Sequence, residues 1–197
     1  MASKHGSEPD HVSTDTAVRT PVKVLVVGHF GVGKTTCIGS LSEIEPLRTE
    51  ELITEASTGF DDLSNTPHKT TTTVAMDFGR LTLGDDLTLY MFGTPGQERF
   101  KELWEDLSRG ALGALVLVDP QRLAESFPVL DLVERFGLTY AIGVNYFDGT
   151  TPYPLDEVRD ALNLPEGTPV VPCDVRSEKS AARALITLVN HLLSRLG

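Results

Sequence analysis

Cysteine, tryptophan and positive charge are all scarce in this chain. Cys37 and Cys173 are its two cysteines, too few for a disulfide framework and in keeping with a reduced compartment. Cys37 falls in a stretch with helix-forming character and reads as a small packing residue, not a reactive thiol. No apolar run approaches the roughly 20 residues that cross a bilayer. Met1-Ala2-Ser3-Lys4-His5-Gly6 lacks the apolar core of a secretory signal, Ala2 stands where myristoylation needs glycine, and Ser194-Arg195-Leu196-Gly197 is not a prenylation motif. Lys and Arg number 17 against 28 Asp and Glu, a net charge of −11. That balance speaks against a broad nucleic-acid surface and against polybasic docking on anionic lipid. No His/Cys cluster has zinc-binding spacing. The expected location is the cytoplasm, with any residence at the inner face of the membrane reached through partners.

What is present suffices for a core: 40% of the 197 residues are hydrophobic. Residues 1–20 are polar, mixed in charge and without apolar periodicity, and read as a disordered tail; residues 21–197 read as one domain. Short apolar strands are expected at 22–27, 74–83, 87–92, 114–118, 140–144 and 170–171. Helices are expected after residue 33, over 98–109, around 123–133 with an interruption or a kink at Pro128, over 155–162, and after Ser177 as an N-cap. Leu123, Phe127, Leu130 and Val133 mark one buried helix face. Leu185, Leu188, Val189, Leu192, Leu193 and Leu196 mark another. Residues 47–72 read as a long irregular loop, with a short helix at 49–55. Alternating strands and helices imply a three-layer α/β fold. Its sheet would be mostly parallel and six-stranded, with one antiparallel edge strand from the 74–92 hairpin, and ligands would sit at the strands' carboxyl ends.

The organising stretch is Gly28-His29-Phe30-Gly31-Val32-Gly33-Lys34-Thr35, which fits G-x-x-x-x-G-K-[ST] between a strand and a helix. Glycines let successive N–H groups of this loop, from Gly28, Gly31, Val32 and Gly33 through Thr36, turn toward phosphate, and the helix N-terminus adds its dipole. Lys34 would reach the β- and γ-phosphates and the Thr35 hydroxyl would ligate Mg²⁺. His29 and Phe30 fill variable positions and would shape the cover over the terminal phosphate.

Four further elements carry a resemblance. Phe92-Gly93-Thr94-Pro95-Gly96-Gln97-Glu98-Arg99-Phe100 resembles the W-D-T-A-G-Q-E-R-F segment of the Ras-like small GTPases. His68-Lys69-Thr70-Thr71-Thr72-Thr73-Val74-Ala75-Met76-Asp77-Phe78 is similar to the segment T-I-G-V-D-F of their first switch. Asn145-Tyr146-Phe147-Asp148 resembles N-K-x-D, and Pro172-Cys173-Asp174-Val175-Arg176 stands where the S-A-K loop would. The resemblance covers about residues 21–197 and is to the prokaryotic branch. It is closest to the actinobacterial conservon (CvnD-like) GTPases, with the T-P-G-Q form shared by MglA-type members.

This resemblance implies GTP/GDP with Mg²⁺, and slow hydrolysis to GDP by a switch protein. Gln97 would orient the attacking water and Gly96 would meet the γ-phosphate. Thr73 would join Thr35 on the metal, with Thr72 the alternative if the register slips. Asp148 would accept two guanine N–H groups, Asn145 would hold the neighbouring loops, and Tyr146 would cover the base. The backbone at Cys173 and Asp174 would meet guanine O6, although Asp174 and Arg176 are equally readable as a local ion pair. The implied partners are a roadblock-domain protein and a sensor kinase-like membrane protein.

The family's metal-side aspartate falls on Gly93, so a carboxylate is missing there, and Thr94 or water would substitute. A non-hydrolysing nucleotide scaffold and, at greater remove, a small P-loop kinase remain the competing readings. Arg80 and Arg99 are candidates for an intrinsic arginine finger, though each reads more readily as a surface or structural arginine. The face with Phe100, Leu103 and Trp104 reads as core in part and as a partner surface in part.

Overall fold

The computed structural model describes residues 19–52, 73–94, 101–147, 149 and 152–195. Seven strands lie among them: β1 (Thr20–Val27), β2 (Leu47–Leu52), β3 (Thr73–Leu83), β4 (Leu87–Gly93), β5 (Ala111–Val118), β6 (Thr139–Asn145) and β7 (Val170–Cys173). The helices are α1 (Lys34–Leu41), α2 (Lys101–Ser108), α3 (Phe127–Arg135), α4 (Leu155–Ala161) and α5 (Glu178–Ser194). The strands form one sheet in the order β2-β3-β4-β1-β5-β6-β7. From β4 through β7 the neighbours are parallel, and β3 is antiparallel to both β2 and β4.

Covering of both faces explains the unbroken apolar character of the central strands. Side chains alternate along β1. Val24 and Val26 therefore join Ile38 of α1 and Leu185 and Leu188 of α5, while Leu25 and Val27 join Trp104 of α2, Val133 of α3 and Val158 of α4. Trp104 is buried, so this part of the α2 face belongs to the core. Both cysteines are buried and unoxidised, and burial pushes both thiols up, Cys173 to about 11.

The three-layer plan stands as expected, and four local expectations change. The 49–55 helix is not formed, because Leu47–Leu52 is β2, which pairs with β3 from Leu47↔Phe78 to Leu52↔Thr73. An open strand edge offers a ladder of hydrogen bonds, whereas an isolated helix of about two turns is not stable by itself. The sheet therefore gains a seventh strand, and the antiparallel strand lies one place in from the edge. Of the two readings at Pro128 the interruption is the one formed, and the kink is not. Leu123–Ser126 forms a separate 3-10 turn, and Pro128 sits in the first turn of α3, where no N–H is required. Phe127, at that junction, is 42% exposed instead of buried.

In α5, Ser177 caps the helix by accepting from Ser180 N–H. Leu188 is fully buried but Leu193 is 61% exposed. The stripe narrows toward the helix end as the sheet beneath it runs out. Leu196, the 1–18 segment and residues 53–72 lie outside the described residues.

Leu185→Ala is expected to lower stability by about 2–5 kcal/mol, while Leu193→Ala changes it by less than about 0.5 kcal/mol. Urea unfolding midpoints of the two variants check this contrast.

Candidate functional site: a phosphate loop with a carboxylate behind it

The loop after β1 is hemmed in at both of its ends. A Cβ on Gly28 (φ +148°) would stand 2.5 Å from the Leu117 carbonyl oxygen, and one on Gly33 (φ +103°) would stand 2.8 Å from Val175 Cγ2 and 3.1 Å from Asn145 Nδ2. Both positions therefore require glycine for conformation and for space. Gly33 opens directly into α1, so Lys34 and Thr35 start the helix and Thr36 follows, exposed, in the same turn. Lys34 Nζ donates to the carbonyls of Gly28 and His29, each at 2.8 Å, which holds the ammonium over the mouth of its own loop. Burial lowers its pKa to about 8, with Asp77 opposing the shift. His29 is buried, its Nδ1 2.8 Å from the Phe30 carbonyl oxygen and 3.7 Å from a Glu125 carboxylate oxygen. Phe30 points outward and is 72% exposed.

Behind Thr35 lies a residue that the sequence reading treats only as an alignment marker. Thr35 Oγ1 donates to Asp77 Oδ2 at 2.5 Å. Asp77 belongs to β3, and because that strand runs antiparallel, its early residues lie at the carboxyl ends of the neighbouring strands. Asp77 sits one step beyond the Phe78↔Phe92 pair, beside Gly93. A Cβ on Gly93 would be 3.1 Å from Asp77 Cβ, 3.3 Å from Asp77 Oδ2 and 3.0 Å from Ile38 Cδ1. The space at Gly93 is thus filled by the Asp77 carboxylate and the α1 side chain. The substitute named earlier, Thr94, donates its N–H to the Val26 carbonyl, and its buried hydroxyl has no hydrogen-bond partner among the described residues. A hydroxyl and a carboxylate side by side are hard oxygen donors of the kind Mg²⁺ takes from protein, with phosphates and waters completing the shell. The donor set fits the ion. Thr73 opens β3.

On the other side of the loop, Asn145 is fully buried at the end of β6. Its Nδ2 donates to the Val32 carbonyl at 2.9 Å, and its Oδ1 accepts from Val175 N–H at 3.3 Å. One side chain therefore ties the glycine loop to the loop after β7. Tyr146 packs against the core of the α2–α4 face and its hydroxyl donates to the Tyr153 carbonyl. Cys173 is buried, its carbonyl accepting from Tyr146 N–H. Asp174 N–H donates to Ser180 Oγ, and the Asp174 carboxylate pairs with Arg176 at 2.9 and 3.1 Å. The ion-pair reading of these two residues is the one formed, and Arg176 holds the Asp174 carboxyl below its ordinary range. Asp148, Gly96, Gln97 and Arg99 lie outside the described residues.

Arg80 donates to Glu43 Oε1 at 2.9 Å and serves as a surface tie between β3 and the end of α1. A different arginine stands near the loop. Arg122 Nη1 is 3.8 Å from the position a Gly31 Cβ would take, and its guanidinium forms a two-pronged pair with Glu125. No sequence signal marked Arg122, because its nearness to Gly31 arises from the turn after β5.

Among the described residues, no helix is long and apolar enough to cross a membrane. The G-domain of FeoB from Methanococcus jannaschii superposes with a TM-score of 0.59 at 12% identity, covering 87% of this chain and 97% of that one. The G-domain of the T. maritima FeoB iron transporter gives 0.62 at 17%, covering 87% and 99%. The chain thus has a G-domain fold. An uncharacterized protein of Methanocaldococcus jannaschii is 33% identical over 129 residues, 64% of this chain and 71% of that protein. The Ras-related protein RABC1 of Arabidopsis thaliana is 35% identical over 103 residues, 51% of this chain and 39% of that protein. Residues 26–195 match the model of a family described as conserved hypothetical ATP binding protein, and with that match running from β1 to the end of α5 the chain belongs to that family.

Proposed function

We propose that this protein is a guanine-nucleotide switch that hydrolyses GTP slowly to GDP with Mg²⁺. The observation that carries the reading is the placement of Lys34 and Thr35 at the mouth of a glycine loop that Asn145 joins to the loop after β7. In this proposal the loop N–H groups and Lys34 bind the phosphates. Lys34 gives up two neutral carbonyl partners for anionic oxygens, a stronger hydrogen bond. When bound, Mg²⁺ neutralises the β- and γ-phosphate oxygens. Thr35 and Thr73 hold that ion, Gly96 meets the γ-phosphate, and Gln97 orients the attacking water. Asp148 selects guanine, and Tyr146, Cys173 and Asp174 frame the base. The resemblance to conservon GTPases supports work beside a roadblock-domain protein and a sensor kinase-like membrane protein, with cytoplasmic residence.

A second reading, an ATP-binding protein, is favoured by the description of the family itself. Displacement of a fluorescent GDP by unlabelled GTP and ATP separates them: GTP is expected to compete at far lower concentration, and preferential displacement by ATP overturns the guanine assignment. Asp148→Asn is expected to shift preference toward xanthine nucleotides. For turnover, Gln97→Leu should leave binding intact and slow single-turnover hydrolysis on the order of 10²-fold. Phosphate release that is absent with and without a roadblock-type partner would instead mean a non-hydrolysing scaffold.

Asn145→Ala strips the partners from Val32 O and Val175 N, a loss of about 1–3 kcal/mol. It should weaken nucleotide affinity by about 10- to 100-fold, and calorimetry gives the value directly.

Lys34 supplies a pH signature. Phosphate favours its protonated form, so nucleotide affinity is expected to fall as pH rises through about 8, with proton uptake on binding near that pH. Folding responds with the opposite sign. The folded pKa of about 8 lies below the ordinary 10.5, so Lys34 costs the free protein stability as pH falls from 10.5 toward 8. Lys34→Met should flatten both slopes, read by calorimetry in buffers of different ionisation enthalpy and by denaturation across that pH range.

A further inference from the structure

We infer that Asp77 supplies the metal-side carboxylate that position 93 lacks, delivered from the neighbouring antiparallel strand. The inference rests on the nucleotide-binding reading above. Three observations meet at this point. The Thr35 hydroxyl, which the loop pattern assigns to the metal, already donates its proton to Asp77 Oδ2 at 2.5 Å. That carboxylate oxygen lies 3.3 Å from where a side chain on Gly93 would begin. Asp77 is itself nine-tenths buried, close enough to Lys34 to oppose the lowering of its pKa.

A hydroxyl that donates its hydrogen to a carboxylate keeps its oxygen lone pairs for a cation. Asp77 thus orients Thr35 for the ion and places negative charge beside it. Glycine at position 93 leaves Asp77 its place: a Cβ there would stand 3.1 Å from Asp77 Cβ and 3.3 Å from Oδ2, and would press the carboxylate aside by a few tenths of an ångström. Glycine at 93 and aspartate at 77 are one solution to a single requirement, a carboxylate next to Thr35, reached from β3 instead of β4.

The experiment measures release of a fluorescent GDP in excess Mg²⁺ and in EDTA. In the wild type, Mg²⁺ is expected to slow release. Asp77→Asn preserves shape and a hydrogen-bonding group but removes the charge. It should raise the Mg²⁺ concentration for half-maximal slowing by about 10- to 100-fold, each protein being referred to its own release rate in EDTA. The relocated pair Asp77→Gly with Gly93→Asp should restore most of the Mg²⁺ effect, since the vacated volume accepts the new side chain. An Asp77→Asn protein with wild-type Mg²⁺ dependence overturns the inference, as does a wild type whose release ignores Mg²⁺. Binding in EDTA reports separately on the nucleotide site: its absence in the wild type overturns the nucleotide reading and this inference with it. Intact binding with an unaltered Mg²⁺ response in Asp77→Asn overturns only the role of Asp77.

Discussion

The structure depends on how tightly the loop after β1 is held between its neighbours. Leu117 of β5 presses on Gly28 from beneath, while Asn145 and Val175 close on Gly33 from beyond. Both ends of the loop are thereby fixed, at Gly28 and at Gly33, while Phe30 between them faces outward. A loop fixed at its ends needs less reorganisation on binding, and the nearby helix N-terminus adds its dipole. A chain with net charge −11 is globally unfavourable to a polyanion. Local geometry must supply the attraction, and it concentrates it around Lys34.

The central strand order follows from the same need. β1 is flanked by β4 and β5, and the carboxyl end of β4 brings Gly93 to this edge of the sheet, with β6 adding Asn145. Antiparallel β3 then contributes its beginning, not its end, to this edge of the sheet. A residue early in β3 reaches a place that parallel strands reach only with their last residues.

Much of this was legible in the sequence. The phosphate loop could be read because its pattern is contiguous and its glycines serve purely local backbone demands. The core faces of β1 and α5 could be read because burial imposes periods of two and 3.6 residues. Asp77 could not be read, because its chemistry comes from a partner, Thr35, on a different element. In the sequence it stands inside a strand and signals only register. The strand β2 escaped for a similar reason: its conformation is set by the open edge of β3 and not by its own composition. Pro128 was legible as an interruption or a kink, and only the separate 3-10 segment before it shows which applies, with the proline in the first turn of α3. Phe127 was misassigned as a direct result.

The Asn145 tie has a consequence for how the protein is made. The glycine loop comes early in the order of elements, directly after β1, yet the residues that brace it are Asn145 and Val175, the former separated from Val32 by 113 positions. A nascent chain carrying only β1, α1 and the hairpin has the loop sequence without its walls. The walls of the glycine loop are therefore completed only when β6 and β7 close onto the sheet, long after the loop sequence itself has been laid down.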